Sequence, residues 1–257
     1  MRSGVYSLPL VLGIALLALW YGLIHLFSIP AYLLPTPGAI LEALWQERHF
    51  LFPAASRTAL SALAGFATAV FGGYAMAMLL AFSPRMKQAL FPWILMLQMI
   101  PVIVLIPIFV LWLGPGRPSV MAITFMISFF PIVANTTLGL VSTERNLVEL
   151  FTVNRASRWQ EIFWLRMPYA LPHFLTGLKI AATLAPIGAI TGEFLAGTTP
   201  DSLGYLLNIY RADPGKTAEI FAVALLSCLL GFLFVGAIFA LSWMLLHRWH
   251  DSMLTRD

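Results

Sequence analysis

Six stretches of this chain, near residues 8–27, 59–82, 89–113, 119–140, 174–196 and 220–246, are each long and apolar enough to cross a bilayer as a helix. The hydrocarbon core, about 30 Å thick, takes roughly 20 helical residues, and every backbone amide inside it must be bonded within its own segment. The expected fold is therefore all-α: a polytopic membrane protein with six transmembrane helices, in one membrane domain covering residues 1–257. Composition agrees, because 60% of the residues are hydrophobic and 10% charged, against roughly 45–50% and 25% in a soluble domain. The first stretch follows Arg2 as a secretory signal would, yet "SIPAYLLPTPGAI" after it has no small-residue cleavage pattern. It reads as a retained span.

The net charge of +4 is scattered through loops, which argues against a nucleic-acid surface. With the N-terminus inside, Arg2, Arg85, Lys87, Arg145, Arg155, Arg158, Arg166, Lys179, Arg248 and Arg256 fall inside, and Arg48, Arg57, Arg117, Arg211 and Lys216 fall outside. Cytoplasmic flanks accumulate Lys and Arg, so both termini are expected in the cytoplasm. Cys228, the single cysteine, excludes an intrachain disulfide and a thiolate metal cluster.

Within the spans, Gly65, Ala69, Gly73, Ala77 and Ala81 recur every four residues and form one smooth helix stripe, expected to pack against another helix. The third stretch holds Pro92, Pro101, Pro107 and the polar Gln98, so it should be kinked or broken, as a wall that bends or moves would be. Between the first two spans, residues 38–48 read as an amphipathic surface helix preceded by Pro35 and Pro37. Glu193 near the outer end of the fifth stretch is an intramembrane carboxylate, either a structural gate residue or a solute contact. Lys179 on the same helix snorkels to headgroups. Asn135, Thr136 and Thr137 are expected to bond between helices, or more boldly to line a pathway.

Two other patterns carry little. "RADPGKT" (211–217) ends like a phosphate-binding loop, but the required first glycine is Tyr210, so the chain is not expected to bind ATP. His247 and His250, with Asp251, have metal-pair spacing but lie in a terminal tail beside Trp249, where interfacial anchoring is the simpler role. No nucleophile–base constellation is visible, and neither cofactor nor metal is expected.

Residues 149–177, "ELFTVNRASRWQEIFWLRMPYALPHFLTG", interrupt the oily pattern with arginines, tryptophans and prolines. The segment is expected to fold as short helices near the membrane surface, with Leu147, Leu150 and Phe151 on one face and Trp159, Phe163 and Trp164 on another. Arginine beside aromatics suits a docking surface.

This segment resembles the cytoplasmic loop of the permease subunits of ATP-binding-cassette importers. That loop follows E-A-A, three residues, G, nine residues, I-x-L-P. Glu149-Leu150-Phe151 takes the triplet, Arg155 the glycine position, and Leu165-Arg166-Met167-Pro168 the end. "ASRWQ" (156–160), "TGLKIA" (176–181), "IGAITGEF" (187–194) and "FFPIVANT" (129–136) are similar to the nitrate, sulfonate and taurine branch, whose relatives include carriers of the thiamine pyrimidine precursor. The resemblance implies an inner-membrane permease subunit, not an enzyme, paired with a second copy. Separate ABC ATPase subunits would drive it, and an extracytoplasmic substrate-binding protein would feed it a small solute.

It also implies ATPase coupling through a loop at about 141–173, with Glu149, Leu150, Phe151, Arg155, Ala156, Ser157, Arg158 and Trp159 at the contact. Gln98, Asn135 and Glu193 are the pathway candidates. Arginine resists the positive-φ turn that the family glycine permits, so the loop should bend differently or meet a partner shaped to match. A membrane-embedded enzyme, or a scaffold without an ATPase partner, is the alternative.

Overall fold

The computed structural model describes residues 4–196 and 201–246. The terminal basic residues and His247 and His250 lie outside the described residues. Every regular element among those described is helical: α1 (Gly4–Leu26), α2 (Pro37–Gln46), α3 (Arg48–Phe82), α4 (Pro84–Gln98), α5 (Val102–Leu113), α6 (Arg117–Val141), α7 (Arg145–Val153), α8 (Arg158–Gln160), α9 (Met167–Ala196), α10 (Leu203–Tyr210) and α11 (Thr217–Leu246). α2 is the amphipathic helix foreseen at residues 38–48. Thr36 caps it, its hydroxyl accepting from the Ala39 amide at 3.2 Å, and Pro37 supplies a pre-set first turn.

Four helical segments are long and apolar enough to cross a membrane: Arg48–Phe82, Arg117–Val141, Arg158–Ala196 and Pro214–Leu246. A fifth is made only by joining α4 and α5, which diverge by 97°. The apolar part of α1, Leu10–Leu26, is shorter than these. The third expected span is the broken one, as its prolines led one to expect, and the first is described as the 23-residue α1. The break falls at Met99–Pro101. Pro101 has no N–H to continue the ladder, and its ring disfavours helical geometry in the residue before it. The last amides of α4 tighten to the third residue back, Met99 to Met96 at 3.0 Å and Ile100 to Leu97 at 3.3 Å.

α6 is the central helix, packed between α3 and α9. The small stripe on α3 makes this possible, because a methyl group on Gly65 would lie 2.5 Å from Thr124 Cβ, and one on Gly73 would lie 2.9 Å from Ile132 Cγ2. Ala69 between them and Ala77 one turn beyond are fully buried. From the other side, α9 brings Gly177 against Pro131 and Asn135, and Gly192 against Ile123 and Val120. Without side chains at these points two helix backbones approach a third closely, gaining dispersion contacts where lipid offers no hydrophobic drive.

Candidate functional site

The loop foreseen at residues 141–173 has two parts. α7 stands alone, but the second short helix expected after it is not separate: α8 runs through a π-helical turn (Glu161–Arg166) into α9, giving one continuous helix, Arg158–Ala196. α8 is thereby joined without a break to a membrane span. Between α7 and α8 the chain turns at Arg155, whose φ is +53°. The Ala156 amide bonds to Phe151 O at 3.0 Å and the Arg155 amide to Thr152 O at 3.0 Å. These are the two bonds of a Schellman motif, which places its left-handed residue at the position Arg155 occupies. Arginine thus takes up the positive-φ turn that it was expected to resist. Asn154 reinforces the end by donating from Nδ2 to Leu150 O at 2.8 Å.

Ser157 then starts α8 with a capping box: its hydroxyl accepts from the Gln160 amide at 3.3 Å, and Gln160 Oε1 accepts from the Ser157 amide at 2.7 Å. The "ASRWQ" string is therefore a turn and a helix start. Leu150, Phe151, Asn154, Arg155, Ala156, Gln160 and Trp164 surround a groove of about 400 Å³. Glu149 lies on the α7 surface, paired with Arg145 at 2.8 Å. Arg158 and Trp159 point the other way. Trp159 stacks on Phe163 at 5.6 Å between ring centroids and meets Phe82 edge-on at 4.5 Å. Trp164, foreseen on the same face as Trp159 and Phe163, lines the groove instead; the continuous helix turns it away from them.

Arg166 is a structural tie that no sequence pattern marks. Its guanidinium holds Glu161 Oε1 from Nε at 2.6 Å and donates from Nη1 to Leu140 O at 2.9 Å. The second bond satisfies a carbonyl at the C-terminal end of α6, so a half-buried arginine fastens this segment to the central helix. Its signal was weak, one arginine among several in a basic stretch.

The three pathway candidates are not brought together. Gln98 is exposed at the last turn of α4, just before the break. Asn135 donates to Pro131 O on its own helix at 2.8 Å rather than across to another, and its Cβ lies beneath Gly177. Among the described residues the buried hydroxyls of Thr136 and Thr137 have no hydrogen-bond partner, and the interhelical bonding expected of this trio is not seen there. Glu193 is fully buried. Its Oε2 accepts from Thr58 Oγ1 at 2.8 Å and from the Gly204 amide at 3.3 Å, while Thr58 Oγ1 accepts from the Leu203 amide at 3.0 Å. One carboxylate oxygen and one hydroxyl thus tie α3, α9 and the start of α10. Gly204 is forced by this junction, because a Cβ there would lie 2.5 Å from Glu193 Cβ and 2.6 Å from the Phe194 amide nitrogen. Lys179 sits 4.5 Å over the Phe239 ring of α11.

Apolar helices packed on a central span, with a capped turn leading into one of the spans, have the build of a polytopic membrane transport subunit. The chain belongs to the family of binding-protein-dependent transport system inner membrane components, whose model matches residues 69–252. It is 37% identical over 228 residues to the formylaminopyrimidine transport permease protein of Halalkalibacterium halodurans, covering 87% of this chain and 90% of that one. It is 34% identical to the riboflavin transport system permease protein of Chloroflexus aurantiacus, over 96% of this chain and 91% of the other. It is 28% identical to the taurine transport system permease protein of Escherichia coli, over 84% and 81%. The chain is accordingly an ABC importer permease in the inner membrane, a transport subunit and not an enzyme. The family implies ATPase and substrate-binding partners.

Proposed function

We propose that this permease pairs with a second copy to enclose a path for a small heteroaromatic solute, and that the α7–α8 groove is where an ATPase subunit grips it. The observation that carries the coupling assignment is the combination of a rigidly capped turn at Arg155 with a helix continuous from α8 into a span. Motion imposed on the groove moves α9 as a rigid body, as alternating access requires. Leu150, Phe151, Arg155 and Ala156 form the docking lip, Glu149 flanks it, and Ser157 shapes it. Trp159, on the far face, acts by holding the helix against Phe82 at the end of α3, and Arg158 lies on that same far face.

Gln98 belongs to the path. Ile94 shares a buried cluster with Phe130 and Val133 of α6, so the elbow one turn further along lies at membrane depth. There Gln98 and Met99 are exposed, Met99 to 81%, and among the described residues no amide hydrogen bond runs from α5 back to the carbonyls of residues 98–100. Unpaired backbone in hydrocarbon is tolerated only where it meets protein or water. Asn135 and Glu193 are assigned to packing, the second as a tie at the outer gate. The groove end and both termini face the cytoplasm, in keeping with the basic flanks.

The heteroaromatic solute follows from the greater identity to the pyrimidine and riboflavin permeases than to the taurine one. Calorimetry on the cognate binding protein tests it: aminopyrimidine binding is expected, and selective taurine or nitrate binding overturns it. For the coupling site, Phe151→Asp in the reconstituted complex is expected to leave ATP hydrolysis running without uptake; normal coupling refutes the assignment. For the elbow, Met99→Cys in a Cys228→Ser background should react with a water-soluble thiosulfonate; reaction only with a lipid-soluble maleimide removes the elbow from the path.

A further inference from the structure

On the face of the coupling helix opposite the docking groove there is a second, smaller pocket of about 190 Å³, lined by Leu80, Ala81, Pro84, Lys87, Val141, Arg158, Glu161, Ile162 and Arg166. The ends of α3 and α6 and the start of α4 converge on it, so it sits where three membrane helices leave the hydrocarbon. Leu80, Ala81, Val141 and Ile162 give it an apolar floor continuous with the helix bundle. Its rim is cationic. Arg166 is already committed to Glu161, at 2.5 Å, and to Leu140 O, so that pair is neutral. Lys87 and Arg158 remain, and among the described residues neither has a carboxylate within salt-bridge distance.

We propose that this pocket binds the headgroup phosphate of an anionic phospholipid, with Lys87 and Arg158 pairing the phosphate and the apolar floor receiving the first part of the acyl chains. Two unpaired cations beside an apolar floor at a helix-end boundary match a ligand that is charged at one end and oily at the other, which free phosphate is not. An acidic side chain of the ATPase is a poorer occupant. Residues 158, 162 and 166 recur at four-residue spacing on one helix face, whereas Gln160 and Trp164 of the docking groove lie on the other. A lipid seated here would brace the same helix that the ATPase moves, so the idea deepens the coupling reading without sharing its contact residues.

The test is native mass spectrometry of the purified full-length permease titrated with phosphatidylglycerol or phosphatidylcholine of equal chain length. Wild-type protein is expected to retain phosphatidylglycerol preferentially. Lys87→Gln should lower that preference roughly five-fold, the effect of about one basic residue at an anionic surface. Lys87→Arg should keep it. Equal retention of the two lipids, or an unchanged preference in Lys87→Gln, overturns the proposal. So does complete displacement of phosphatidylglycerol by millimolar inorganic phosphate, which would mark a free-anion site. If Lys87→Gln loses the ATPase on co-purification while its lipid preference is intact, the pocket belongs to the protein partner and the lipid site falls. Failure of the coupling reading alone appears differently, as normal uptake in Phe151→Asp with the lipid preference unaltered.

Discussion

Arg155 carries a backbone conformation that its side chain disfavours. The left-handed region costs a non-glycine residue roughly 1–2 kcal/mol, partly recovered because glycine loses about 0.5–1 kcal/mol more chain freedom on folding. Arg155→Gly is therefore expected to stabilise the α7–α8 turn by roughly 0.5–1 kcal/mol, slowing hydrogen exchange at the Ala156 amide about three-fold. Faster exchange would mean that the arginine side chain itself holds the turn. At the opposite end, Glu193 accepts from both a hydroxyl and an amide in a fully buried junction. Glu193→Ala leaves those donors without an acceptor and should cost about 1–3 kcal/mol in thermal unfolding of the detergent-solubilised protein, with Glu193→Gln costing less because its amide oxygen still accepts. The glutamate's depth in the span was readable from the sequence. Its partner Thr58 was not, since 135 residues separate the two and no local pattern links them.

Elements succeed or fail here by how closely their backbones approach. A methyl at Gly65 would press on Met121 O at 2.9 Å as well as on Thr124, whereas one at Gly231 on α11 meets nothing within 4 Å. Gly65→Ala should destabilise the bundle by roughly 1–3 kcal/mol of overpacking, and Gly231→Ala should leave its melting temperature unchanged or raised. Equal effects would detach the stripe from helix packing. The stripe was legible as a period of four, but its partner helix was not. The break at Pro101 was legible from three prolines in one stretch, while the 97° divergence was not, because a proline frees a carbonyl ladder and the neighbours decide where the chain goes next. The short surface helix expected ahead of a span beginning near residue 174 is instead fused to that span, through a stretch that contains Pro168 and Pro172. Both prolines lie inside the continuous helix, which accepts them because neighbouring groups and the adjoining π-helical turn can re-satisfy the freed carbonyls.

For the whole molecule, the decisive matter is which end faces the ATPase. Arg155→Cys in a Cys228→Ser background is expected to react with an impermeant maleimide in inside-out vesicles and to be protected in right-side-out ones; the reverse pattern inverts the topology and removes the coupling assignment. The sequence by itself determined that this chain lives in a bilayer, that it is helical, and that a charged aromatic loop with preserved spacing projects from it. Those properties follow from hydrophobicity and spacing, which are written locally along the chain. Only the tertiary structure decided that Arg155 completes a capped turn, that Arg166 fastens the loop to α6, that Trp159 and Trp164 face opposite ways, and that Glu193 meets Thr58. Each of these depends on contacts between residues brought together by packing, where the free energy resides in pairs of surfaces and no single stretch of sequence encodes both members.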